Sequence, residues 1–270
     1  VVSFMRTSDF DYPLPRHLIA QTPIEPRDHS RLLVVNRSTG ELEHRRFYEL
    51  GNFLKPGDLL VLNDSRVIPA RLKGRKLPTG GAVEVLLLHR TGTGVWKALV
   101  KPGRRLRPGA RFEVDGVEGQ VVEDAGDGTR LVHLADEGVI QRAGEMPLPP
   151  YIHTPLADRE RYQTVYARVD GSAAAPTAGL HFTPELLEDL SREGIRFARV
   201  TLHVGLDTFR PVQSEEPEKH KLHSEYFELG EEAAREINLA RAEGRRIVSV
   251  GTTSVRVLEQ AALLSQQHGE

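Results

Sequence analysis

Hydrophobic and polar positions follow different patterns in three successive parts of the chain. In the first part, Leu32–Asn36 and Asp58–Asn63 are short apolar runs with the length of buried strands, and apolar residues at helical spacing predict a helix over Arg45–Leu54. In the third part, after Pro150, predicted strands and helices alternate. The helices are Thr183–Glu193, Glu231–Glu243 and Val255–Gln267, and the strands are Phe197–Val204 and Arg246–Val250. This order is typical of an α/β domain with a parallel sheet or barrel.

The middle part, from Arg66 to Pro150, consists of short runs separated by glycine-containing turns. The predicted strands are Ala82–His89, Val95–Lys101, Arg111–Asp115, Val117–Glu123 and Arg130–Leu134. Many short strands with such turns indicate a small antiparallel barrel or sandwich. Because the α/β pattern resumes afterwards, we predict a β domain at 66–150 that is inserted into a discontinuous α/β domain of 1–65 and 151–270.

Composition limits the class of protein. Hydrophobic residues make up 39% and charged residues 27% of the 270 positions, as in an ordinary globular chain. The net charge of -2 provides no overall basic field, although it leaves room for a local basic patch. Cysteine is absent, which excludes disulfides, cysteine-bound zinc and thiol catalysis. No apolar run approaches the roughly 20 residues of a membrane span, so we expect a cytoplasmic protein that does not enter membranes.

A loop of small residues, Gly171–Thr183, is the first candidate site. Its glycines and alanines let other groups approach the backbone, and it contains Thr177, Gly179 and His181. A threonine N-cap and a proline then begin a helix, and the amide groups at such a helix start suit an anion or a polar ligand. A connection that merely passes close to a neighbouring strand would need the same small residues.

Polar side chains follow three predicted strands, where α/β folds place their sites. They are Asn63, Asp64, Ser65, Arg66 and Arg71 after the first strand, His203, Asp207 and Arg210 after the second, and Gly251, Thr252, Thr253, Ser254 and Arg256 after the third. A histidine near a carboxylate can act as an acid/base pair, and hydroxyl and amide groups at a helix start can hold a carboxylate or phosphate. Each stretch could equally be structural, as a capped turn, a satisfied histidine or an ordinary N-cap.

Two further clusters lie outside these strand ends. His220 and His223 with Glu225 could bind a metal on a helix, but the extended sequence after them would place the histidines on opposite faces. Basic residues crowd two stretches, namely Arg66, Arg71, Lys73, Arg75 and Lys76, and then Lys101, Arg104, Arg105, Arg107 and Arg111. Such groups can neutralise RNA phosphates, although a solvated charged face is the simpler explanation.

Six stretches of the sequence together resemble one family. They are residues 9–15, 63–72, 176–183, 202–212, 220–225 and 251–256, in this order across nearly the whole chain. Examples are Pro176-Thr-Ala-Gly-Leu-His-Phe-Thr and His220-Lys-Leu-His-Ser-Glu. They resemble the S-adenosylmethionine:tRNA ribosyltransferase-isomerases of queuosine synthesis. That family continues beyond the position matching Glu270, so we expect this sequence to be a fragment that lacks the family's C-terminal region.

The resemblance implies a fold and a reaction. The fold is a barrel-like α/β main domain with an inserted small antiparallel β-barrel domain. The reaction moves the ribosyl unit of S-adenosylmethionine onto the aminomethyl group of 7-aminomethyl-7-deazaguanine in a tRNA anticodon. Epoxyqueuosine-tRNA forms, and adenine and methionine leave. S-adenosylmethionine is then a consumed co-substrate, and no metal or other cofactor is implied.

The resemblance also suggests which residues act. A proton beside a sulfonium is acidified by the adjacent positive charge, so a modest base can remove it. We predict His203, oriented by Asp207, and His181 as acid and base. The predicted substrate-binding residues are Asn63, Asp64, Ser65, Arg66, Arg71, Thr177, Gly179, Arg210, Gly251, Thr252, Thr253, Ser254 and Arg256. Among them, Thr252–Ser254 would hold the methionine carboxylate, and the two arginines of the first strand end would hold anticodon phosphates or the nucleobase.

Two other functions are compatible with the residues. A metal-dependent hydrolase could use His181, His203, His220 and Asp207 at a barrel mouth. A non-catalytic RNA-binding protein could read RNA through the basic β domain. No coiled-coil seam suggests an oligomer, and we expect a monomer.

Overall fold

The computed structural model describes residues 5–126, 128–205, 212, 214–220 and 224–268. The strands in these ranges are β1 (Arg31–Val35), β2 (Leu42–Arg46), β3 (Leu59–Asn63), β4 (Ser65–Val67), β5 (Arg71–Leu77), β6 (Ala82–Gly92), β7 (Val95–Lys101), β8 (Arg111–Val114), β9 (Val117–Gly126), β10 (Thr129–Leu134), β11 (Val169–Ser172), β12 (Arg196–Leu202), β13 (Phe227–Glu228) and β14 (Ile247–Ser249). The α-helices are α1 (Gly138–Ala143), α2 (Pro184–Arg192), α3 (Glu231–Ala242) and α4 (Thr252–His268). Short 3-10 helices include Phe47–Phe53, Arg159–Tyr162 and Thr177–His181.

The central sheet has the strand order β13-β12-β3-β14. β3 runs parallel to β12 and β14, whereas β13 is antiparallel to β12. Leu59 and Val61 of β3 pack towards α3 and α4, and Leu60 and Leu62 pack towards α2 and the 3-10 helix Phe47–Phe53. A parallel strand that is covered on both faces must be almost wholly apolar, and every residue of β3 is buried.

The three parallel strands end at the same edge of the sheet. Their registers place Val200 of β12 opposite Asn63 of β3, and Ser249 of β14 opposite Val61. Beyond this edge, β4 pairs in parallel with β11. The carboxyl edge therefore collects the segments that follow each strand, which is where ligands bind in open α/β sheets.

β5 to β10 form a closed antiparallel barrel in the order β10-β7-β6-β5-β8-β9. Its interior is filled by its own side chains, including the fully buried Leu72, Val85 and Phe112. Gly119 of β9 makes room for Phe112, because a Cβ at that position would overlap the aromatic ring. A barrel of this size is a packed core that leaves no room for a ligand.

The structure confirms the predicted fold class, which combines α/β elements with a closed antiparallel β-barrel. β6 to β10 correspond to the five strands predicted for the middle part, and α2, α3 and α4 correspond to the predicted helices. The domain boundaries at 1–65, 66–150 and 151–270 stay a prediction. Among the described residues, no helix combines the length and the hydrophobicity needed to cross a membrane.

Two local predictions differ from the structure, and strand β5 is not predicted. The predicted helix over Arg45–Leu54 is the end of β2 followed by a 3-10 helix, whose apolar residues still face the core. The predicted turn after β14 is shorter, because α4 already begins at Thr252. The sequence analysis does not predict β5, since basic residues mask its alternation. Gly74 also interrupts the apolar pattern of β5. A glycine is needed there because a Cβ at that position would overlap the backbone of Glu113.

Candidate active site

Asn63 ends β3 and extends the sheet with its side chain. Its Nδ2 donates to the carbonyl of Leu202 at 3.0 Å, and its Oδ1 accepts from the amides of Leu202 and Ser65 at 3.0 and 3.1 Å. Asn63 is 1% exposed. A side-chain amide offers a donor and an acceptor in one plane, as a peptide does. Asn63 therefore continues the ladder between β3 and β12 beyond its last backbone pair.

Asp64 is buried as deeply and joins three segments. Its Oδ1 accepts from the hydroxyl of Thr201 at 2.7 Å, and its Oδ2 accepts from Nε and Nη2 of Arg168 at 3.2 and 2.8 Å. Its backbone carbonyl accepts from the amides of Arg168 and Val169. A buried carboxylate needs such partners, and here they fix β12 and the start of β11 next to β4.

Ser65 contacts the predicted base. Its Oγ lies 3.1 Å from Nδ1 of His203. Tyr226 stacks on the imidazole, with ring centroids 5.4 Å apart and planes at 22°. A Cβ at position 171 would lie 2.7 Å from Nε2 and 2.9 Å from Cδ2 of the same ring, so the imidazole packs closely against the backbone of Gly171. These contacts with Ser65, Tyr226 and Gly171 hold the ring in one position.

The charge state of His203 follows from its surroundings. Burial lowers the pKa of His203 below its ordinary value of 6.5, although the carboxylates of Asp64 and Asp170 act in the opposite direction. The imidazole is therefore neutral at neutral pH. When Nδ1–H donates to Ser65, Nε2 carries the lone pair that can accept a proton. A neutral histidine with one free nitrogen can act as a general base.

Arg66 adds a positive charge directly after Ser65. It contacts Glu160, and its Nε lies 3.7 Å from Oδ1 of Asp170, whose side chain is 69% exposed. The side-chain amide of Gln163 binds both backbone groups of Val67, at 2.9 Å to the amide and 2.8 Å to the carbonyl. These bonds hold β4 in place, so the guanidinium is presented from a fixed strand.

The small-residue loop is tied to the same edge of the sheet. Oγ of Ser172 accepts from the amide of Val204 at 3.0 Å and donates to the carbonyl of Ala174 at 2.7 Å. The amide of Ala173 donates to the carbonyl of Val204 at 3.0 Å. Ala173, Ala174 and Ala175 are buried. Larger side chains here would separate the loop from β12, so close packing explains the small residues, and ligand access to this loop stays a prediction.

Three predicted site residues lie in one short 3-10 helix but have different surroundings. Thr177 is exposed. Gly179 packs under Tyr166, because a Cβ there would overlap the tyrosine hydroxyl. His181 packs against Phe47, with ring centroids 5.2 Å apart. Gly179 is therefore required by packing, and contact of Thr177 and His181 with a ligand stays a prediction.

The same 3-10 helix lies next to the start of α4. A Cβ at Gly251 would lie 3.2 Å from the methyl group of Ala178, and the φ of Gly251 is +85°. The carbonyl of Ala178 lies 3.1 Å from Nδ1 of His181. The structure thus brings together two stretches, the small-residue loop and the turn after β14, that the sequence analysis treats as separate sites.

The first turn of α4 contains the three predicted hydroxyl groups. Ser254 is fully buried, and its hydroxyl donates to the carbonyl of Val250 at 3.1 Å. Thr252 is exposed. Oγ1 of Thr253 is buried and has no hydrogen-bond partner. A buried hydroxyl without a partner costs about 1–3 kcal/mol, so Thr253 is the hydroxyl that a bound polar group would satisfy.

Arg256 is linked to the end of β12 through Glu225. The guanidinium of Arg256 contacts one carboxylate oxygen of Glu225, and the other oxygen accepts from the amide of Gly205 at 2.7 Å. Glu225 is 4% exposed and Arg256 is 40% exposed. The sequence analysis assigns this glutamate only to a candidate metal cluster, whereas here it joins α4 to β12.

Some predicted residues cannot be placed, and some neighbours of His203 are not predicted. Asp207 and Arg210 lie outside the described residues, as does His223. Within the described ranges, no group of three His, Asp or Glu residues is arranged to hold a metal ion. Tyr226 and Gly171, which contact His203, are not among the predicted site residues. Both reach the histidine through strand pairings that connect distant parts of the sequence.

A parallel-stranded α/β fold that presents a neutral histidine, hydroxyl groups and a guanidinium at its carboxyl edge is the arrangement of an enzyme. A family model described as queuosine biosynthesis protein matches residues 7–270. The chain belongs to this family, as the six stretches predict.

Several curated relatives carry the name S-adenosylmethionine:tRNA ribosyltransferase-isomerase. The relative from Dehalococcoides mccartyi (strain CBDB1) is 54% identical over 268 residues, which cover 97% of this chain and 78% of the relative. The relative from Symbiobacterium thermophilum is 57% identical over 264 residues, which cover 96% of this chain and 77% of the relative. A crystal structure of S-adenosylmethionine tRNA ribosyltransferase from Thermotoga maritima is 40% identical, covers 94% of this chain and 73% of that chain, and has a TM-score of 0.46. The relatives' names support the transferase interpretation over the hydrolase and the non-catalytic alternative.

Proposed function

We propose that this chain transfers and isomerises the ribosyl moiety of S-adenosylmethionine onto the aminomethyl group of 7-aminomethyl-7-deazaguanine in tRNA. Epoxyqueuosine-tRNA is formed, and adenine and methionine are released. The observation that carries this proposal is the similarity, over 96% and 97% of the chain, to relatives named for this transferase-isomerase activity. The site described above contains groups that suit each step.

His203 is the proposed base. The proton leaves the ribose carbon that is bonded to the sulfonium, and Nε2 of the neutral imidazole accepts it. The electron pair left on that carbon opens the sugar and expels adenine. Ser65 contacts Nδ1, Tyr226 stacks on the ring, and the lack of a side chain at Gly171 allows the imidazole to take this position. The lowered pKa of His203 keeps the base unprotonated at neutral pH.

Other predicted residues take binding or positioning roles in this proposal. Thr253 and the amides of the first turn of α4 hold the methionine carboxylate. The hydroxyl of Thr253 is available for this bond, because it is buried without a partner. His181 protonates the departing purine, and Arg66 binds a phosphate of the anticodon. Asn63 and Asp64 have all their side-chain bonds inside the protein, so we assign them to positioning Ser65 and His203 without contact to substrate.

The proposal treats S-adenosylmethionine as a consumed co-substrate and requires no metal. The part of Asp207 in orienting His203, and of Arg210 in binding substrate, stays a prediction. The same holds for Arg71, Thr177, Gly179, Gly251, Thr252, Ser254 and Arg256 as binding residues. A monomeric state and a cytoplasmic location are likewise predictions from the sequence.

Adenine release measured by chromatography tests the function. The chain is mixed with S-adenosylmethionine and tRNA that carries 7-aminomethyl-7-deazaguanine, and the same tRNA without the modification is the control. Release with the modified tRNA alone is expected, and release with neither tRNA, or equally with both, contradicts the proposed reaction. His203→Ala then tests the base: a rate within a few-fold of the parent would overturn that role while the function stands.

A further inference from the structure

A cavity lies between the outer face of the barrel and the segment that leads out of it. It is an open cleft of ≈ 760 Å³. None of the residues that contact His203 lines it. The residues around His203 therefore do not explain what this cleft binds.

One side of the cleft is cationic. Arg71 and Lys73 project from the same face of β5, since residues two apart in a strand share a face, and Arg159 also lines the cleft, where it donates to the carbonyls of Gln141 and Gly144. The lining residues contribute a single carboxylate, that of Glu145, which pairs with Lys73 at 2.7 Å. Nε of Arg71 is buried without a hydrogen-bond partner. Arg71 also lies 3.9 Å from Glu84, so three cations face two carboxylates and this part of the cleft keeps a net positive charge.

The floor of the cleft is apolar. Its apolar side chains are Met146, Leu148, Ile152 and Leu156, together with the lining prolines Pro149, Pro150 and Pro155. Met146, Leu148 and Leu156 pack against a buried cluster that contains Val67. The floor is thus anchored to the protein interior and is formed before any ligand arrives.

The segment that forms this floor is also held from outside. Nε2 of Gln21 donates to the carbonyl of Tyr151 at 3.0 Å, and Oε1 of Gln21 accepts from the amide of His153 at 2.8 Å. Prolines fix the backbone on both sides of these bonds. A binding surface that is rigid in advance loses little conformational entropy when it binds.

One short helix connects the cleft to the candidate active site. Arg159 lines the cleft, and the next residue, Glu160, contacts Arg66. Gln163, just after this helix, binds both backbone groups of Val67 in β4. A chain-like ligand that occupies the cleft would therefore continue towards the Ser65–Arg66 end of β4.

We propose that this cleft binds a single-stranded segment of the tRNA beside the nucleotide that reacts. Arg71, Lys73 and Arg159 contact backbone phosphates, and an unpaired base packs on the apolar floor. Phosphates and exposed base faces occur together in single-stranded RNA, whereas a duplex hides its base faces. The inference rests on the proposed function in that tRNA is taken to be the substrate.

The binding experiment uses Lys73→Ala, which removes one cleft cation. Lys73 is 60% exposed and its partner Glu145 is 50% exposed, so their ion pair contributes little to stability. Arg235→Ala is the matched control, because Arg235 forms an exposed pair with Glu231 on α3, outside the cleft. Fluorescence anisotropy with an anticodon stem-loop RNA is measured across a series of salt concentrations.

Lys73→Ala is expected to weaken RNA binding several-fold at low salt. It should also make the slope of log affinity against log salt shallower by about 0.7, the value for one phosphate contact on a single strand. Arg235→Ala should leave the slope unchanged. If both variants give the same affinity and slope, Lys73 makes no phosphate contact and the proposal is overturned.

Cross-linking locates the RNA without removing a charge from the cleft wall. Because the chain has no cysteine, His153→Cys introduces a unique thiol at an exposed lining position, to which a photoreactive maleimide can be attached. Cross-links to loop nucleotides next to the modified base are expected, and Arg235→Cys is the control. Cross-links confined to the stem, or equal to those of the control, contradict the proposal.

Adenine release measured in parallel separates this inference from the proposed function. Loop cross-links without adenine release would refute the transferase reaction and support the cleft. Normal adenine release without loop cross-links would refute the cleft and support the reaction.

Discussion

Replacing Gly171 by alanine tests the proposed position of His203 directly. The new Cβ would lie 2.7 Å from Nε2 and 2.9 Å from Cδ2 of the imidazole. Carbon atoms pack comfortably at about 3.5–4.0 Å, so the ring must retreat by roughly 1 Å. It cannot do so without lengthening the 3.1 Å contact with Ser65 or leaving the stack with Tyr226.

The expected result is a loss of activity that exceeds the loss of stability. A displacement of about 1 Å at a reacting group costs on the order of 100-fold in rate, or about 2.7 kcal/mol of barrier. The φ of Gly171 is +142°, a region that only glycine occupies easily. Alanine there costs about 1–3 kcal/mol of folding free energy, which should lower the melting temperature by several degrees.

Single-turnover adenine release and thermal unfolding measure the two effects separately. Gly40→Ala is the control, because Gly40 has a φ of +75° but nothing within 4 Å of the new methyl group. It should lower stability and leave adenine release unchanged. A folded Gly171→Ala protein with the parental rate would refute the reasoning, since the crowded ring would then have no part in the reaction.

Three further predictions follow from single side chains. Adenine release should be constant above pH 6.5, the ordinary pKa of histidine, and fall at lower pH as His203 becomes protonated; a pH–rate profile that already declines above that value contradicts the assignment. Burial raises the pKa of Asp58, but hydrogen bonds from the Arg246 side chain and the Lys55 backbone, with the nearby charges, lower it overall. Its stabilising effect is therefore complete above the ordinary pKa of 3.8 and is lost as pH falls through the lowered value. Asp58→Asn should reduce the free energy of unfolding in urea at neutral pH by about 1–3 kcal/mol, and an unchanged midpoint would show that the pair is unimportant. Thr253→Val removes no internal hydrogen bond and replaces a buried hydroxyl without a partner, so stability should stay the same or rise by up to about 1–3 kcal/mol while the KM for S-adenosylmethionine rises several-fold; an unchanged KM would exclude the hydroxyl from binding.

The elements that the sequence predicts well are those in which one pattern dominates. β3 is recognisable because both of its faces are buried, and α2 because its apolar residues repeat between a threonine N-cap and Gly194. β5 is not recognisable, because its outward face is basic and its inward face includes a glycine that only the neighbouring strand explains. The local pattern of the sequence predicts an element well where burial recurs on every helical turn or every second residue. It fails where a neighbouring strand determines which residue is required.

The candidate site shows the same limit. The sequence places Ser65 and His203 after parallel strands, so their meeting at one edge is predictable. That Tyr226 stacks on the histidine depends on the pairing of β12 with β13, and that Gly171 lies against it depends on the pairing of β11 with β4. Asn63 satisfies the pattern of a site residue equally well, yet its partners are backbone groups of β12.

Asn63, Asp64 and Ser65 are neighbours in the chain, but their side chains form hydrogen bonds with different partners. A saturation-mutagenesis screen that scores protein abundance and tRNA modification separately would therefore give different results for these three positions. Codons 63 and 64 would lose both scores together, because their side chains bind the backbone or side chains of other segments. Codon 65 would lose modification while abundance persists. Three adjacent codons would thus be constrained by two different demands, folding at codons 63 and 64 and activity at codon 65.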